Sequence, residues 1–212
     1  MAPYLATVGK SITNFMKRVI LVFAVVLSSV IVNGQVNFGI KAGLNNSTLG
    51  GDGADISGKK SNTGFNVGVI AAIPLSTHFA FQPEIMYSAN QGMEFRPTTN
   101  SETNYNLNYV NIPLMLKYKS MGFYGEAGPY FGFLTSGKVK TKTGSTTTES
   151  DIKDSFDGTD MGVALGTGYI MNSGLGFGVR YNMGLQNIYD ATSPEFKNRY
   201  WQVNLIYMFS KK

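Results

Sequence analysis

Apolar and polar residues alternate one by one along eight stretches of the chain, and the apolar side of every stretch is free of Asp, Glu, Lys and Arg. Alternation with a period of two is typical of β-strands whose two faces meet different surroundings. The stretches are residues 36–44, 63–73, 79–89, 109–118, 123–133, 160–169, 175–186 and 201–209. We therefore predict an all-β fold.

The charged residues of these stretches all fall on the opposite, polar side. They are Lys41, Glu84, Lys117, Glu126, Asp160 and Arg180. An Arg or Lys that faces lipid at mid-membrane costs roughly 2–4 kcal/mol, so hydrocarbon demands a face without charge. The alternative, a soluble lipocalin-like barrel, reverses the pattern and places apolar side chains inside. The distribution favours a membrane barrel with its apolar face outward.

The connections between the stretches alternate in length. Residues 76–78, 120–122 and 172–174 make tight turns, whereas the other four connections are long and polar: residues 45–62, 90–108, 135–159 and 187–198. Short turns at one end and long loops at the other are typical of outer-membrane barrels, with the loops outside the cell. We predict an eight-stranded antiparallel up-and-down transmembrane β-barrel.

A leader precedes the first stretch. Lys17 and Arg18 are followed by an apolar run over residues 19–32, and Gly34 precedes a plausible cleavage point. A basic start, an apolar core and a small residue before the cut are typical of a secretory signal peptide. A single membrane anchor is the alternative, but the run is short for the ~30 Å of a bilayer core. We predict an upstream extension plus signal peptide at 1–34 and the barrel domain at 35–212.

The composition excludes several kinds of chemistry. The chain has no cysteine and one histidine, His78, so it lacks a disulfide framework, a thiol nucleophile and a Cys- or His-rich metal site. Without the leader, 15 basic residues stand against 13 acidic ones, a net charge of +2. That excess is too small for a basic nucleic-acid-binding face. We expect no metal, no cofactor and no nucleic-acid partner.

Two further patterns resemble binding motifs only superficially. The alternating glycines of residues 174–178 lack the spacing and the following helix of a dinucleotide fingerprint. Asp151, Asp154 and Asp157 are three residues apart, whereas calcium loops place ligands at alternate positions. We interpret the glycines as small lumen residues and the aspartates as solvated loop charge, and we predict no catalytic activity.

Five inward charges remain as the candidate site. Lys41, Glu84, Lys117, Glu126 and Arg180 fall in the half of their strands that lies near the tight turns, so their levels should overlap. Charges in a narrow lumen need partners, because removing one member of a buried pair costs about 3–5 kcal/mol. We expect a structural charge network. Three cations against two carboxylates leave +1, which Asp160 offsets only if it reaches the network.

The fourth and fifth stretches resemble a known family. Tyr-Val-Asn-Ile-Pro-Leu-Met-Leu-Lys-Tyr at 109–118, followed by Gly-Glu-Ala-Gly-Pro-Tyr at 125–130, is similar to the PorT-family outer-membrane barrels of Bacteroidota. Gly-Ile-Lys-Ala-Gly-Leu-Asn at 39–45 also matches the first strand usual in that family. One departure is that Phe209, in the place of the usual terminal aromatic, is followed by three more residues.

The resemblance implies an OmpA/OmpX-type barrel in the bacterial outer membrane, surrounded by outer-membrane lipids. It does not imply one biochemical activity. We expect a structural or surface-interaction role, with long loops that meet other envelope or secretion proteins. Two alternatives stay open. The founding member of the family suggests an accessory role in protein secretion, and the inward glycines leave room for a narrow pore or a small-ligand-binding barrel.

Overall fold

A computed structural model describes residues 36–51, 59–98, 101–189 and 195–209. The leader predicted at 1–34 lies outside the described residues. None of the helices within those ranges is long and apolar enough to cross a membrane.

The described residues form nine β-strands and the 3-10 helix Lys153–Ser155. The strands are β1 (Asn37–Gly50), β2 (Lys59–Pro74), β3 (Phe79–Thr98), β4 (Ser101–Ser120), β5 (Phe123–Thr143), β6 (Thr146–Asp151), β7 (Thr159–Ile170), β8 (Leu175–Gly184) and β9 (Lys197–Met208).

Eight of these strands close into a ring. Each pairs antiparallel with its neighbours in the order β1, β2, β3, β4, β5, β7, β8, β9, and β9 returns to pair with β1. The ninth strand, β6, lies outside the ring and pairs with the distal part of β5, from Lys138↔Asp151 to Thr143↔Thr146. The predicted eight-stranded up-and-down barrel is confirmed.

The two ends of the barrel differ, although not as the sequence suggested. At the turn end, strands are joined by the short connections 75–78, 121–122 and 171–174. At the loop end, much of the polar connections over residues 45–62, 90–108 and 135–159 is extended strand: β3 runs to Thr98, β4 starts at Ser101 and β5 runs to Thr143. The polar composition of these segments suggested loops. A two-stranded ribbon outside the membrane has water on both faces, however, so it can be polar throughout, and threonine favours strands. The loop end therefore carries paired ribbons.

The two faces of the barrel wall are sharply different. On β8 and β9 the outward Val179 and Val203 are 42% and 60% exposed, whereas the inward Arg180 and Asn204 are 2% and 3% exposed. Outward aromatic pairs lie near the ends of the strands: Phe123 and Tyr169 rings are 4.8 Å apart at the turn end, and Tyr181 and Trp201 rings are 4.8 Å apart on the other side. This is the surface that the alternation predicted for contact with lipid.

The lumen is filled by side chains. Tyr124 and Tyr130, from β5, project across inward glycines of neighbouring strands. A Cβ at Gly178 would overlap the Tyr124 hydroxyl, and one at Gly162 would lie 2.6 Å from the Tyr130 ring. The glycines thus make room for the tyrosine rings, which occupy space inside a barrel whose eight strands leave an interior just wide enough for side chains.

Candidate functional site

Arg180 is the centre of the buried charges. Its Nη1 and Nη2 donate to Oε2 and Oε1 of Glu84, each at 2.8 Å. Its Nε donates to Oε1 of Glu126 at 2.8 Å, and its Nη2 lies 2.6 Å from the same oxygen. A planar guanidinium with five fixed donors is suited to hold two carboxylates at once. Arg180 therefore joins β3 to β5 across the lumen.

The two lysines of the cluster contact the same two carboxylates as Arg180. Lys41 Nζ donates to Glu84 Oε1 at 2.7 Å, and Gln82 Nε2 donates to the same oxygen at 2.7 Å. Lys117 Nζ lies 3.2 Å from Glu126 Oε2 and 3.9 Å from the centroid of the Tyr124 ring. We call Lys41, Glu84, Lys117, Glu126 and Arg180 the ion network.

Strand register explains how the network assembles. Lys117 and Glu126 are directly opposite each other on β4 and β5. On the other side of β5, Gly166 of β7 stands opposite both Glu126 and Arg180. A Cβ at Gly166 would lie 2.9 Å from Glu126 Oε1, so the glycine leaves the space in which Arg180 and Glu126 meet.

The structure places all five predicted residues in one cluster, each of them 4% exposed or less. Asp160 does not join them. Its Oδ2 accepts hydrogen bonds from the Tyr130 hydroxyl at 3.2 Å and from Asn198 Nδ2 at 2.9 Å. The ion network therefore keeps its excess of one positive charge.

Sequence reasoning missed three residues of this site. Gln82 and Tyr124 share the inward faces of β3 and β5 with Glu84 and Glu126, so the alternation itself gave a signal for both. Gly166 gave none, because its part depends on which residue stands opposite on the next strand. Nothing in one strand's own sequence specifies that register.

An apolar cluster closes the lumen at the loop end. Its six buried members, which we call the loop-end cap, are Leu49, Met93, Leu107, Tyr109, Leu134 and Ile188. Phe156 and Phe196 pack against it from the connections between strands. A cavity of 370 Å³ remains beside the cap, lined by Tyr105, Tyr189 and other apolar groups.

The charged groups of the loop-end ribbon pair with one another at the surface. Glu149 on β6 accepts a 2.6 Å hydrogen bond from Lys138 on β5 and lies 3.1 Å from Lys140 Nζ. The hydrogen bond from Lys138 lowers the pKa of Glu149 and raises that of Lys138. Such exposed pairs contribute little to stability.

The His, Asp and Glu side chains of the described residues lie apart from one another or in local hydrogen bonds. No group of three or more His, Asp or Glu within them converges on a point. His78 stacks on Tyr118 at the turn end, with ring centroids 5.8 Å apart. Asp151 and Asp157 accept hydrogen bonds from the backbone N–H groups of Lys153 and Thr159, two residues further along.

Comparison with known proteins gives one family. The sequence model for "Outer membrane protein beta-barrel domain" matches residues 27–190. No curated protein matches the chain.

Similar solved structures include Ail, the attachment invasion locus protein of Yersinia pestis, at 15% identity, covering 82% of this chain and 99% of that one, with a TM-score of 0.45. Neisserial surface protein A has 13% identity over 82% and 99% of the two chains and a TM-score of 0.48. OprG from Pseudomonas aeruginosa has 13% identity over 84% and 98%, with a TM-score of 0.40.

Proposed function

We propose a structural and surface-interaction role, without catalysis, for this chain, which belongs to the outer membrane protein beta-barrel domain family. The protein lies in the bacterial outer membrane, where its apolar outer wall meets lipid. In this role the barrel is a closed anchor, and the loop-end ribbons are the parts that meet other molecules.

The closed lumen is the observation that carries the proposal. Arg180 ties Glu84 to Glu126 across the interior, and the loop-end cap fills the lumen nearer the loops. A solute would have to separate buried ion pairs and then displace an apolar cluster. Each buried charge left without its partner costs several kcal/mol, so the interior resists opening.

The loop-end ribbons support the interaction role. All six residues of β6 are exposed, and within the described residues β6 pairs on one side only, with β5. A strand edge of this kind presents free N–H and C=O groups to which another chain can add a strand. We propose that envelope or secretion proteins meet the barrel here, while lipids cover its wall.

We further propose that the chain falls in the PorT-like branch of the family, as in Bacteroidota, which makes an accessory role in secretion the second candidate. The support is the motif over residues 109–118 and 125–130. Its Lys117 and Glu126 face each other in the lumen, at 3.2 Å between Nζ and Oε2. The motif therefore supplies two members of the ion network, a physical reason for its residue types.

Conductance measurements test the closed lumen. The purified barrel in a planar lipid bilayer should give no current steps above those of a protein-free bilayer, because the ion network and the loop-end cap block the path. A general porin, reconstituted in the same way, is the positive control. Uniform current steps from the wild-type protein would favour the narrow-pore alternative instead.

Cysteine variants at the two ends test orientation and contact together. Ser145→Cys lies at the tip of the β5–β6 hairpin, and Ser173→Cys lies in a tight turn. On whole cells an impermeant maleimide should label only the Ser145 variant. A maleimide photocrosslinker at the same two positions should then join the protein to a discrete partner from Ser145 alone. Labelling of Ser173→Cys alone would reverse the orientation, and equal crosslinking from both sites would contradict the ribbon as the contact surface.

A further inference from the structure

The turn end of the barrel holds a second, separate cavity of 620 Å³. It lies on the opposite side of the ion network from the loop-end cap and is bounded by the three short connections and the end of β9. Ligand pockets for small molecules typically have about 300–1,000 Å³. Its apolar wall includes Ile170, Met171 and Met208, so the space suits a small molecule with an apolar part.

The cavity is lined by cations and by no described carboxylate. Lys117 and Lys119, two residues apart on the inward side of β4, both line it, and His78 stands at its rim. Lys119 makes no ion pair or side-chain hydrogen bond with any described residue. Among the described carboxylates, only Glu84 and Glu126 lie in the turn half of the barrel, and both are held by Arg180.

Lys117 is buried but incompletely satisfied. The residue is 1% exposed, and its Nζ makes no hydrogen bond of acceptable geometry to a described atom, although Glu126 Oε2 is 3.2 Å away and the Tyr124 ring lies beneath it. An ammonium group has three donors, and leaving them unmatched in a buried site is costly. Lys117 is one of the residues that line the turn-end cavity, so an acceptor placed there lies next to the side chain that lacks one.

The charge balance of the ion network points the same way. Three cations face two carboxylates, and Asp160 is committed to Tyr130 and Asn198. One negative charge placed at Lys117 from the turn end would make the buried cluster neutral. Lys119, further toward the mouth of the cavity, would attract that charge inward and bind its second oxygen.

We propose that the turn-end cavity binds a small organic monoanion, a carboxylate attached to an apolar body. The carboxylate accepts hydrogen bonds from Lys117 and Lys119, and the apolar body lies against Ile170, Met171 and Met208. This site does not involve the loop-end ribbons, so a negative result here would leave the interaction role proposed above unchanged.

Binding of 4-fluorobenzoate, followed by ¹⁹F NMR with the barrel in lipid nanodiscs, tests the site. After subtraction of empty nanodiscs, the wild-type protein should show saturable binding at one site. The neutral 4-fluorobenzamide, of nearly equal shape, should not bind. Lys117→Gln should weaken binding about tenfold or more, because a charged hydrogen-bond partner is lost. Lys142→Gln, a lysine lost at the loop end, should leave the affinity unchanged.

Lys117→Gln should still fold, because the charges that remain, Lys41 and Arg180 against Glu84 and Glu126, sum to zero. If it fails to fold, Lys119→Gln decides the matter, since Lys119 is not part of the ion network. Three results would overturn the proposal: no saturable binding to the wild-type protein, equal binding of the amide, or an affinity that neither lysine substitution lowers.

Discussion

Replacing Glu126 by glutamine should lower the free energy of unfolding by about 3–5 kcal/mol. The change raises the excess charge of the ion network from +1 to +2, because Lys41, Lys117 and Arg180 would then face Glu84 alone. It also removes the only carboxylate within 4 Å of Lys117 among the described residues. Urea unfolding in lipid vesicles, followed by Trp201 fluorescence, measures the effect.

Asp151→Asn is the matched control for this change. Asp151 is an exposed carboxylate on β6, outside the ring, and its loss should alter stability by no more than about 0.5 kcal/mol. The double change Glu126→Gln with Lys117→Met should cost less than the sum of the two single changes, because it returns the network to +1. Strict additivity, or an equal effect of Asp151→Asn, would leave the network without a structural role and favour a hydrated interior.

Val179→Arg should destabilise the barrel in lipid by about 2–4 kcal/mol. Val179 lies in the middle of β8, 42% exposed on the outer wall, with Thr167 and Val203 beside it. An arginine there would place its guanidinium in hydrocarbon, with no carboxylate on the outer faces of β7 and β9 to pair with it. Refolding into vesicles across a urea series gives the free-energy difference.

Leu185→Arg is the control that distinguishes an effect of membrane depth on stability from an effect of the added charge alone. Leu185 directly follows the last residue of β8, six residues from Val179 toward the loop end, and is 52% exposed. Near the interface the cost should fall to about 0–1 kcal/mol. Equal effects at the two positions would mean that depth does not govern the penalty, and the outer wall of β8 would not be a membrane surface.

The alternation of residues predicted which side chains enter the lumen because that property belongs to each strand separately. Glu84 and Arg180 both sit on polar faces, and the fold keeps them there. Their meeting across the barrel depends on how far each strand is shifted against the next, a relation between strands. The sequence therefore predicted an overlap in height but not the central position of Arg180.

The loop end shows a second limit of the sequence reasoning. Residues 135–159 read as a polar loop because no face of them is apolar. In the structure Thr141 and Thr148 stand opposite each other in the β5–β6 pair. A ribbon with water on both sides lacks the two-sided contrast that marks a membrane strand, so hydrophobic alternation cannot detect it. Threonine content was the one available signal.

Closure of the ring brings its first and last strands together at the turn end, where the Phe209 N–H donates to the Phe38 carbonyl at 2.7 Å. A short linker would join these two points without disturbing the wall, and the exposed hairpin tip at Gly144 and Ser145 offers a place to open new ends. Such a circular permutant would present the same eight strands to the assembly machinery in a rotated order of synthesis. Comparing its assembly with that of the original chain would show whether assembly depends on which strand is synthesised last or on the closed barrel as a whole.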